Sequence, residues 1–367
     1  MKKHTLIAVV IMVMVVGIIV VAVRRSATRG TEGVSSRVDL DRPLIVGVTS
    51  WPGYAGGILA NGGFKENAQS IYTARYGLPV RFVLIEDIDA RGKAFAKGGP
   101  DGIDIVWSTV DFWANELPGF IAGGINGKAF MQLDWSRGGD AMVAGASIKT
   151  VEDLKGKKIA LTQFTPSHWL LEKALRTSHL TDGSREQIRK KLVFTQDTSS
   201  ARSAFVAGHV DAAVVWEPDV KQALKRQGAY VLFSSRDHPT IIADVMVAKE
   251  EFLKAHPRAI EAFARGWFDG VEEAKLNPLA AAEVLVASEP LFADLGIEET
   301  IKSLDWAYLT GLADNVSMFG LDGRAPIFDS LFEETGAVWK SLGVVKEPLP
   351  ASRAKDDSIL RKIYPVR

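Results

Sequence analysis

The strand–turn–helix unit at residues 153–174, DLKGKKIALTQFTPSHWLLEKA, decides how the rest of the chain is organised. The apolar run at residues 158–161 predicts a short strand, and Leu170, Leu171 and Ala174 begin the apolar stripe of a helix. A strand that leads into a helix is the repeating element of α/β sheets. We therefore expect the same alternation on both sides of this unit.

The turn between this strand and helix has the residues that a helix start requires. Thr165 is suited to the N-cap, and Pro166 fits the first helical position, where its missing N–H costs nothing. The N–H groups of Ser167 and His168 are then expected to have no intrahelical partner. Because such a helix start favours negative charge, the turn is a candidate anion site.

Short apolar strands alternate with helical segments along the chain, which predicts an α/β protein with doubly wound sheets. In such sheets, ligands bind beyond the carboxyl ends of the strands. Two breaks in the pattern, WSRGGD and the polar turn SSRDHP, are interpreted as crossovers between two lobes. We expect a discontinuous lobe I at residues 42–137 and 241–367, and an inserted lobe II at residues 138–240.

Helices are expected between the strands and over most of the chain after residue 248. Apolar residues from Ile260 to Val271 follow the spacing of one buried helix face. The other predicted helices lie at residues 64–76, 87–97, 201–207, 278–287, 301–312 and 327–342.

The N-terminal residues 1–24 are predicted to be a signal or membrane anchor, followed by a flexible tether at residues 25–41. Residues 5–23 are uninterruptedly apolar, and at about 1.5 Å per residue they nearly cross a bilayer core of roughly 30 Å. An uncleaved anchor is favoured, because two arginines directly follow the candidate cleavage site at residues 20–22. A cleaved signal peptide is the alternative.

Composition and motif content exclude several functional classes. The chain has 44 basic and 44 acidic side chains, so nucleic acid is not an expected partner. It has no cysteine, and it contains no G-x-S-x-G, H-E-x-x-H, Walker or G-x-G-x-x-G motif. Its 6 histidines do not have metal-ligand spacing. We therefore expect a protein that is not an enzyme, with no metal and no cofactor.

Aromatic residues gather at one edge of the predicted sheets. A single buried tryptophan normally belongs to the core, but several at the same edge favour the wall of a small-molecule cleft. Five of the 9 tryptophans lie at or just after predicted strand ends, namely Trp51, Trp107, Trp113, Trp169 and Trp216.

Polar candidates lie at the same edge, and each has a plain structural alternative. Ser50, Ser108 and Thr109 can donate hydroxyl hydrogen bonds to a solute or merely cap helices. Asp111 can cap a helix or meet a cation on the ligand. Arg137 can clamp a carboxylate or sulfonate through its planar fork, or form a surface ion pair.

Two further candidates are His168 and Glu217. His168 at a helix start can donate to an anion, although a solvated or simply satisfied histidine is the more common case. Glu217 follows Trp216 and can balance a positive group on the ligand beside an aromatic face. Its alternative role is that of a solvent-facing loop acid.

Five segments, in this order and spacing, are typical of one family: VTSWPGY at 48–54, DIVW at 104–107, VEDLKGKKIA at 151–160, AFVAGHVDAA at 204–213 and WEP at 216–218. Through them the chain resembles the nitrate/sulfonate/taurine-type solute-binding proteins of ABC importers, a family that includes proteins for thiamine-pyrimidine precursors. The segments WSRGGD and TPSH are closest to an envelope subgroup in which some members have a fused peptidoglycan-binding domain.

The resemblance implies a two-lobed, periplasmic-binding-protein-like fold of type II, with two crossover strands and a solute held in the cleft. The absence of a lipidation cysteine and the apolar N-terminus depart from the usual released or lipid-anchored members. By position, the family's cleft loops would fall on Ser50, Trp51, Tyr54, Ser108, Thr109, Asp111, Thr165, Ser167, His168, Trp216 and Glu217.

These features predict a membrane-tethered, extracytoplasmic solute-binding protein of an ABC-type importer, on the periplasmic side of the inner membrane. Its partners would be a small solute, an ABC permease and the membrane through residues 5–23. The expected solute is polar and organic: sulfonate-like, zwitterionic or nitrogen-containing. Its anionic group would lie at the Thr165 helix start, and any cationic part at Asp111 or Glu217.

Two alternatives stay open. One is a ligand-sensing or scaffolding envelope protein of the same fold that has no transport role. The other, less favoured, is a pyrimidine-synthesis-type enzyme, against which the absence of cysteine and of clustered histidines argues.

Overall fold

The computed structural model describes residues 38–364. The predicted anchor at residues 1–24 and most of the predicted tether lie outside the described residues. Across residues 38–364, no helix is both long enough and apolar enough to cross a membrane.

The described part of the chain contains two sheets, as the α/β pattern predicts. Their strands are β1 Leu44–Val48, β2 Val80–Leu84, β3 Ile105–Thr109, β4 Gly127–Ser136, β5 Asp140–Ala144, β6 Ile159–Thr162, β7 Leu192–Thr195, β8 Ala212–Trp216, β9 Tyr230–Ser234, β10 Ala243–Lys249 and β11 Ala307–Leu309. The first sheet has the order β11-β4-β10-β3-β1-β2, and the second has the order β7-β6-β8-β5-β9.

Each sheet combines a parallel part with antiparallel strands next to the crossovers. Strand β1 is parallel to β2 and β3, and β6 is parallel to β7 and β8. Strand β10 is antiparallel to β3 and β4, whereas β5 is antiparallel to β8 and β9. The predicted two-lobed α/β fold is thus confirmed in its sheet architecture. The predicted domain boundaries stay a prediction.

Helices connect the strands and form most of the chain after β10. They are α1 Ala55–Asn61, α2 Ile71–Tyr76, α3 Ile88–Lys97, α4 Val110–Ala122, α5 Pro166–Thr177, α6 Asp182–Arg189, α7 Thr198–Val206, α8 Asp219–Ala223, α9 Glu250–Ala255, α10 Pro257–Leu276, α11 Pro278–Ser288, α12 Pro290–Leu295, α13 Ile297–Leu304, α14 Leu312–Phe319, α15 Ile327–Ser341 and α16 Ser358–Ile363.

The prediction of a helix at residues 301–312 is wrong over its second half. Helix α13 ends at Leu304, and Ala307–Leu309 forms strand β11 at the edge of the first sheet. Ala307 and Leu309 are buried while Tyr308 between them is exposed, which is the alternation of an edge strand. Antiparallel pairing with β4 therefore overrides the helical pattern of this segment.

The predicted helix at residues 64–76 is also shorter than expected. It begins only at Ile71, because the Ser70 side chain accepts the N–H of Thr73 at 3.1 Å and caps the helix there. Helix α7 is confirmed but begins three residues before the predicted start at residue 201, because Asp197 accepts the N–H of Ser200 at 2.7 Å and caps the helix there.

Close helix packing supports the turn that follows β1. A Cβ atom on Gly270 of α10 would lie 2.1 Å from the carbonyl oxygen of Gly56 in α1. A Cβ atom on Gly57 would lie 2.1 Å from the ring of Trp267. Only glycine permits this approach of two helix backbones, which holds α1 and the turn before it in one position.

The chain passes between the two sheets twice, before β5 and after β9. The hydroxyl groups of Ser136 and Ser235 are 2.7 Å apart and join the two crossovers by a hydrogen bond. Ser235 also accepts the N–H of Gly138 at 2.8 Å, and Ser136 accepts the N–H of Asp140 at 3.1 Å. One buried polar network therefore holds the crossovers side by side.

We expect Ser235→Ala to lower the free energy of unfolding by about 1–3 kcal/mol, because it leaves buried hydrogen-bonding groups without partners. Urea denaturation of the full-length chain in mild detergent measures this loss. The control is Ser203→Ala, which removes an exposed hydroxyl from α7 and should change stability by less than about 0.5 kcal/mol. Equal effects of both variants would contradict the assigned role of Ser235.

Candidate functional site

A small cavity lies where the two sheets meet, at the carboxyl ends of β1, β3 and β8. Its volume is about 10 Å³, which is room for roughly one water molecule. A larger solute therefore requires the surrounding elements to move apart. The cavity is lined by Thr49, Trp51, Tyr54, Trp107, Thr109, Asp140, Pro166, Trp216, Ile242 and Asp244.

Aromatic rings from both sheets form the walls of this cavity. Trp107 of β3 meets Trp216 of β8 edge to face, with ring centroids 6.1 Å apart and an interplanar angle of 71°. Trp51 approaches the backbone at Gly139 so closely that a Cβ atom there would lie 2.4 Å from its ring. The aromatic contacts therefore run across the junction between the sheets.

The turn after β1 places two aromatic residues against two buried carboxyl groups. The indole nitrogen of Trp51 donates to Asp134 at 3.0 Å, and the hydroxyl of Tyr54 donates to Asp244 at 2.6 Å. A Cβ atom on Gly53 would lie 2.0 Å from an oxygen of Asp134, so the turn requires glycine at this position.

Four buried aspartates form a single acidic cluster beside and within the cavity: Asp111, Asp134, Asp140 and Asp244, hereafter the acidic cluster. Asp134 and Asp244 are direct partners on the antiparallel strands β4 and β10. Asp111 lies in the first turn of α4, and Asp140 is the first residue of β5. All four are at most 4% exposed. Like charges opposite each other destabilise a strand pair, so this arrangement is unfavourable when all four are ionised.

Burial is the main physical cause of the altered titration of the acidic cluster. Burial raises the pKa of Asp134 to about 8 and the pKa of Asp140 to about 7. Burial, followed by repulsion from the other members, raises the pKa of Asp244 and of Asp111 well above the usual range. The charged forms of these groups are therefore disfavoured near neutral pH.

Several carboxyl oxygens in and around the cavity have no hydrogen-bond partner among the described residues. These are one oxygen each of Asp134, Asp140 and Glu217, and both oxygens of Asp111. Glu217 is completely buried, and burial raises its pKa to about 8. Buried acceptors without donors are costly and rare in native proteins.

Basic groups near the acidic cluster are already paired. Arg91 lies over the Trp107 ring with its guanidinium carbon 4.7 Å from the ring centroid, and it forms an ion pair with Glu116 at 2.5 Å. The described residues that line the cavity include no lysine, arginine or histidine. Among the same part of the chain, residues 38–364, no group of three or more acids and histidines is arranged to hold a metal ion.

The structure brings four of the predicted site residues to the cavity wall: Trp51, Tyr54, Thr109 and Trp216. Thr109 also caps α4 by accepting the N–H of Phe112 at 3.3 Å, which is its structural alternative, and its contact with a solute stays a prediction. Asp111 and Glu217 are buried nearby. The solvent-facing alternative for Glu217 is wrong, because its side chain is completely buried.

Other predicted residues have structural partners instead. The Ser108 hydroxyl donates to Glu116 at 3.0 Å. The backbone N–H of Ser50 donates to Glu86 at 3.0 Å, whereas the buried Ser50 hydroxyl has no hydrogen-bond partner among the described residues. Arg137 is exposed, with its guanidinium carbon 3.9 Å from the centroid of the Tyr308 ring. None of these three side chains lies in the cavity lining among the described residues.

The helix start at Thr165 forms as predicted, but the two N–H groups expected to lack partners, those of Ser167 and His168, are not both free. The N–H of His168 donates to the carbonyl of Thr165 at 2.9 Å, so the prediction that it lacks a partner is wrong. The Thr165 hydroxyl donates to the carbonyl of Thr162 at 2.8 Å rather than capping the helix. Ser167 is completely buried at this start.

His168 is a packed, neutral side chain. Its Nδ1 atom accepts the N–H of Phe164 at 3.2 Å, and its ring lies 5.5 Å from that of Trp339 in α15. Burial lowers its pKa to about 4. His168 is thus uncharged near neutral pH and supplies no positive charge for an anion.

The sequence prediction missed Asp134, Asp140 and Asp244. Asp134 and Asp244 each interrupt an otherwise apolar strand, in FMQLDW and in IIADVMVA, and a charge inside such a run is the signal that marks a functional or paired position. Asp140 directly follows Gly139 at the start of β5. Their proximity depends on strand pairing that the sequence alone does not display.

A wider groove of about 730 Å³ lies beside this junction, between helices α3 and α4 and the ends of β6 and β7. Asn115 of α4 donates to the carbonyl of Phe164 at 3.1 Å and joins its two sides. Phe164 has a φ of +61°, a left-handed conformation that is uncommon for a residue other than glycine.

Residues 139–281 match the family described as "NMT1/THI5 like". The taurine-binding periplasmic protein of Escherichia coli is 29% identical over 143 residues, which are 38% of this chain and 42% of that protein. A putative aliphatic sulfonates-binding protein of Escherichia coli is 39% identical over 94 residues, 24% of this chain and 26% of that protein. The matches thus span less than half the length of these relatives.

Solved structures with the same fold match nearly the whole described chain. The periplasmic aliphatic sulphonate binding protein SsuA of Escherichia coli has a TM-score of 0.64 at 18% identity, covering 86% of this chain and 98% of that one. The periplasmic nitrate-binding protein NrtA of Synechocystis has a TM-score of 0.59 at 12% identity, covering 88% and 93%. The expected resemblance to sulfonate-, taurine- and nitrate-binding proteins is confirmed. The resemblance to a subgroup with a peptidoglycan-binding domain stays a prediction.

We expect the unliganded protein to become less stable as the pH rises from 6.5 to 8.5. The raised pKa values of Asp134, Asp140 and Glu217 mean that the folded state holds protons that the unfolded state has released. The resulting stability is full below the unfolded pKa of about 4 and is lost as the pH passes about 7–8. The lowered pKa of His168 acts only below about pH 6.5, outside this range.

Thermal denaturation of the full-length chain between pH 6.5 and 8.5 measures this dependence. Asp140→Asn should raise Tm at pH 8.5 and flatten the profile, because it removes one buried charge. The matched control is Asp101→Asn, an exposed acid in the loop before β3, which should leave the profile unchanged. A Tm that increases with pH would show that the buried acids are not the dominant titrating groups.

Proposed function

We propose that the protein is an extracytoplasmic solute-binding protein of an ABC-type importer, and that it closes two lobes around a small polar organic solute. The main support is the cavity at the sheet junction, whose walls combine Trp107 from one sheet with Trp216 from the other. A solute held there would be contacted from both sides. The named functions of the curated relatives support the same role.

In this proposal the lobes correspond to residues 42–137 with 241–367, and to residues 138–240. The two crossovers, joined by Ser136 and Ser235, act as the hinge. Because the present cavity holds only about one water molecule, the hinge must open to admit a solute. Closure then desolvates the solute against the aromatic walls, and the opposed tryptophan rings limit how far the lobes approach.

The remaining parts of the proposal concern the cellular location of the protein and its partner protein. A binding protein of this class delivers its solute to a permease, so we include an ABC permease as partner. We also propose that residues 1–24 tether the protein to the periplasmic face of the inner membrane. The proposed function is solute binding and includes no catalytic step.

A thermal-shift screen of the full-length chain tests the proposed function. The panel contains sulfonates, amino acids, betaines, pyrimidines and amines. A bound solute should stabilise the protein by about 2.7 kcal/mol at a hundredfold excess over its Kd. Trp216→Ala should abolish most of this stabilisation, since it removes one aromatic wall.

The control variant is Tyr308→Ala, whose exposed ring lies outside the cavity lining. It should leave the ligand-induced shift unchanged. A panel that produces no shift at any concentration, or a shift that Trp216→Ala leaves intact, would contradict solute binding at the junction.

A further inference from the structure

We propose that the solute is an organic cation with N–H donors, such as a primary ammonium, amidinium or guanidinium group, bound between the tryptophans and the acidic cluster. This inference rests on the proposed solute-binding function and narrows its ligand class. It reverses the charge expected from the Thr165 helix start.

The first argument is the sign of the charge around the cavity. Asp140 and Asp244 line it, and the buried Asp111 and Asp134 are near enough to repel Asp244. The lining side chains among the described residues include no basic group. An anion would therefore be placed among desolvated carboxyl groups, whereas a cation would relieve their mutual repulsion.

The second argument is the set of acceptors that lack donors. One oxygen of Asp140 is buried in the cavity wall without a hydrogen-bond partner among the described residues, and both oxygens of Asp111 share this condition nearby. When ionised, these carboxyl groups only accept hydrogen bonds, so a ligand that favours their ionised form must donate. The indole N–H of Trp107 is a neutral donor without a partner, and it suits a neutral acceptor such as a hydroxyl on the same ligand.

The third argument is the aromatic environment. Trp51, Trp107 and Trp216 lie within one small cavity, and tryptophan faces attract cations more strongly than those of phenylalanine or tyrosine. Arg91 already occupies one face of Trp107, with its guanidinium carbon 4.7 Å from the ring centroid, so the ligand would use the rings of Trp51 and Trp216 and the other face of Trp107. The cavity lining combines tryptophan rings with the carboxyl groups of Asp140 and Asp244, a combination that suits an organic cation.

The alternatives fit less well. An anion at the Thr165 helix start would find the Ser167 hydroxyl without a partner, but it would lack the N–H of His168, which donates to Thr165, and would find His168 uncharged. A divalent metal would require several oxygen ligands around one point, and the described residues contain no such group. The aromatic walls would also be unexplained by a bare metal ion.

Isothermal titration calorimetry of the full-length chain with butylammonium and methylguanidinium tests the inference. At least one of them should bind at pH 8. Asp140→Asn and Asp244→Asn should each weaken that binding about tenfold or more, because each removes a charged hydrogen-bond acceptor. Asp101→Asn, which changes the net charge equally at an exposed position, should leave it unchanged.

The pH dependence of affinity separates a cation from an anion. Binding of a cation should strengthen between pH 6 and 8, because it competes with protons on the acidic cluster. The other titratable groups facing the cluster are Tyr54, Glu217 with neighbouring Lys221, and the Arg91–Glu116 pair. The cluster and Glu217 have pKa values raised toward this range, and they act in the same direction.

The remaining arms of the titration are tetramethylammonium, taurine, ethanesulfonate and MgCl2. Tetramethylammonium has no N–H donor and should bind more weakly than the two probe cations. Binding of ethanesulfonate without either probe cation would overturn the inference but retain the proposed solute-binding function. Binding of Mg²⁺ alone, lost in Asp140→Asn, would also overturn it in favour of a metal site.

Failure of every compound to bind would overturn the inference as well. The wider thermal-shift panel then tests the proposed function separately. A shift with an uncharged or anionic compound would support solute binding without a cation, and the absence of any shift would contradict both the proposed function and the inference. Since Asp140→Asn should raise the Tm of the unliganded protein, its loss of binding is distinguishable from a failure to fold.

Discussion

Repulsion among four carboxyl groups at the junction of the sheets is the constraint on which the rest of the structure depends. Asp134 and Asp244 face each other on paired strands of the first sheet, and Asp140 begins the second. Desolvation and mutual repulsion both disfavour their charged forms. Close approach of the two sheets is therefore less unfavourable when this charge is neutralised, by protons or by a cation. Under the proposed function, closure of the lobes would be coupled to the ligand that enters the cavity.

The strand–turn–helix unit at residues 153–174 has a structural role in this coupling. The indole nitrogen of Trp169 in helix α5 donates to the carbonyl of Ile241 in the second crossover at 2.9 Å. Trp339 of α15 packs against His168 at the helix start, with ring centroids 5.5 Å apart. The helix thus anchors the inserted sheet to the crossover and to the other lobe. The start of this helix is packed against its neighbours, and the charge of the site comes from the acidic cluster.

The sequence predicts the strands well and the chemistry of the site only in part. Local patterns are sufficient for strand β6, predicted at residues 158–161 and observed at Ile159–Thr162, and for the start of helix α5 after Thr165. They fail at β11, where pairing with β4 decides the conformation. Asp134 and Asp244 become neighbours only through long-range register between β4 and β10. The sequence shows both acids inside apolar runs, but it does not show that they are neighbours, because strand pairing in the sheet brings them together.

The relatives show that a shared fold leaves the ligand open, because function depends on the site rather than on the architecture. A ligand shifts a two-state equilibrium only by its difference in affinity for the two states. In an open cleft the carboxyl groups are hydrated and attract a cation weakly, whereas in the closed cavity the low dielectric strengthens the same attraction. Under the proposal, closure would therefore select cations, and the same repulsion that weakens the empty closed state would disfavour anions.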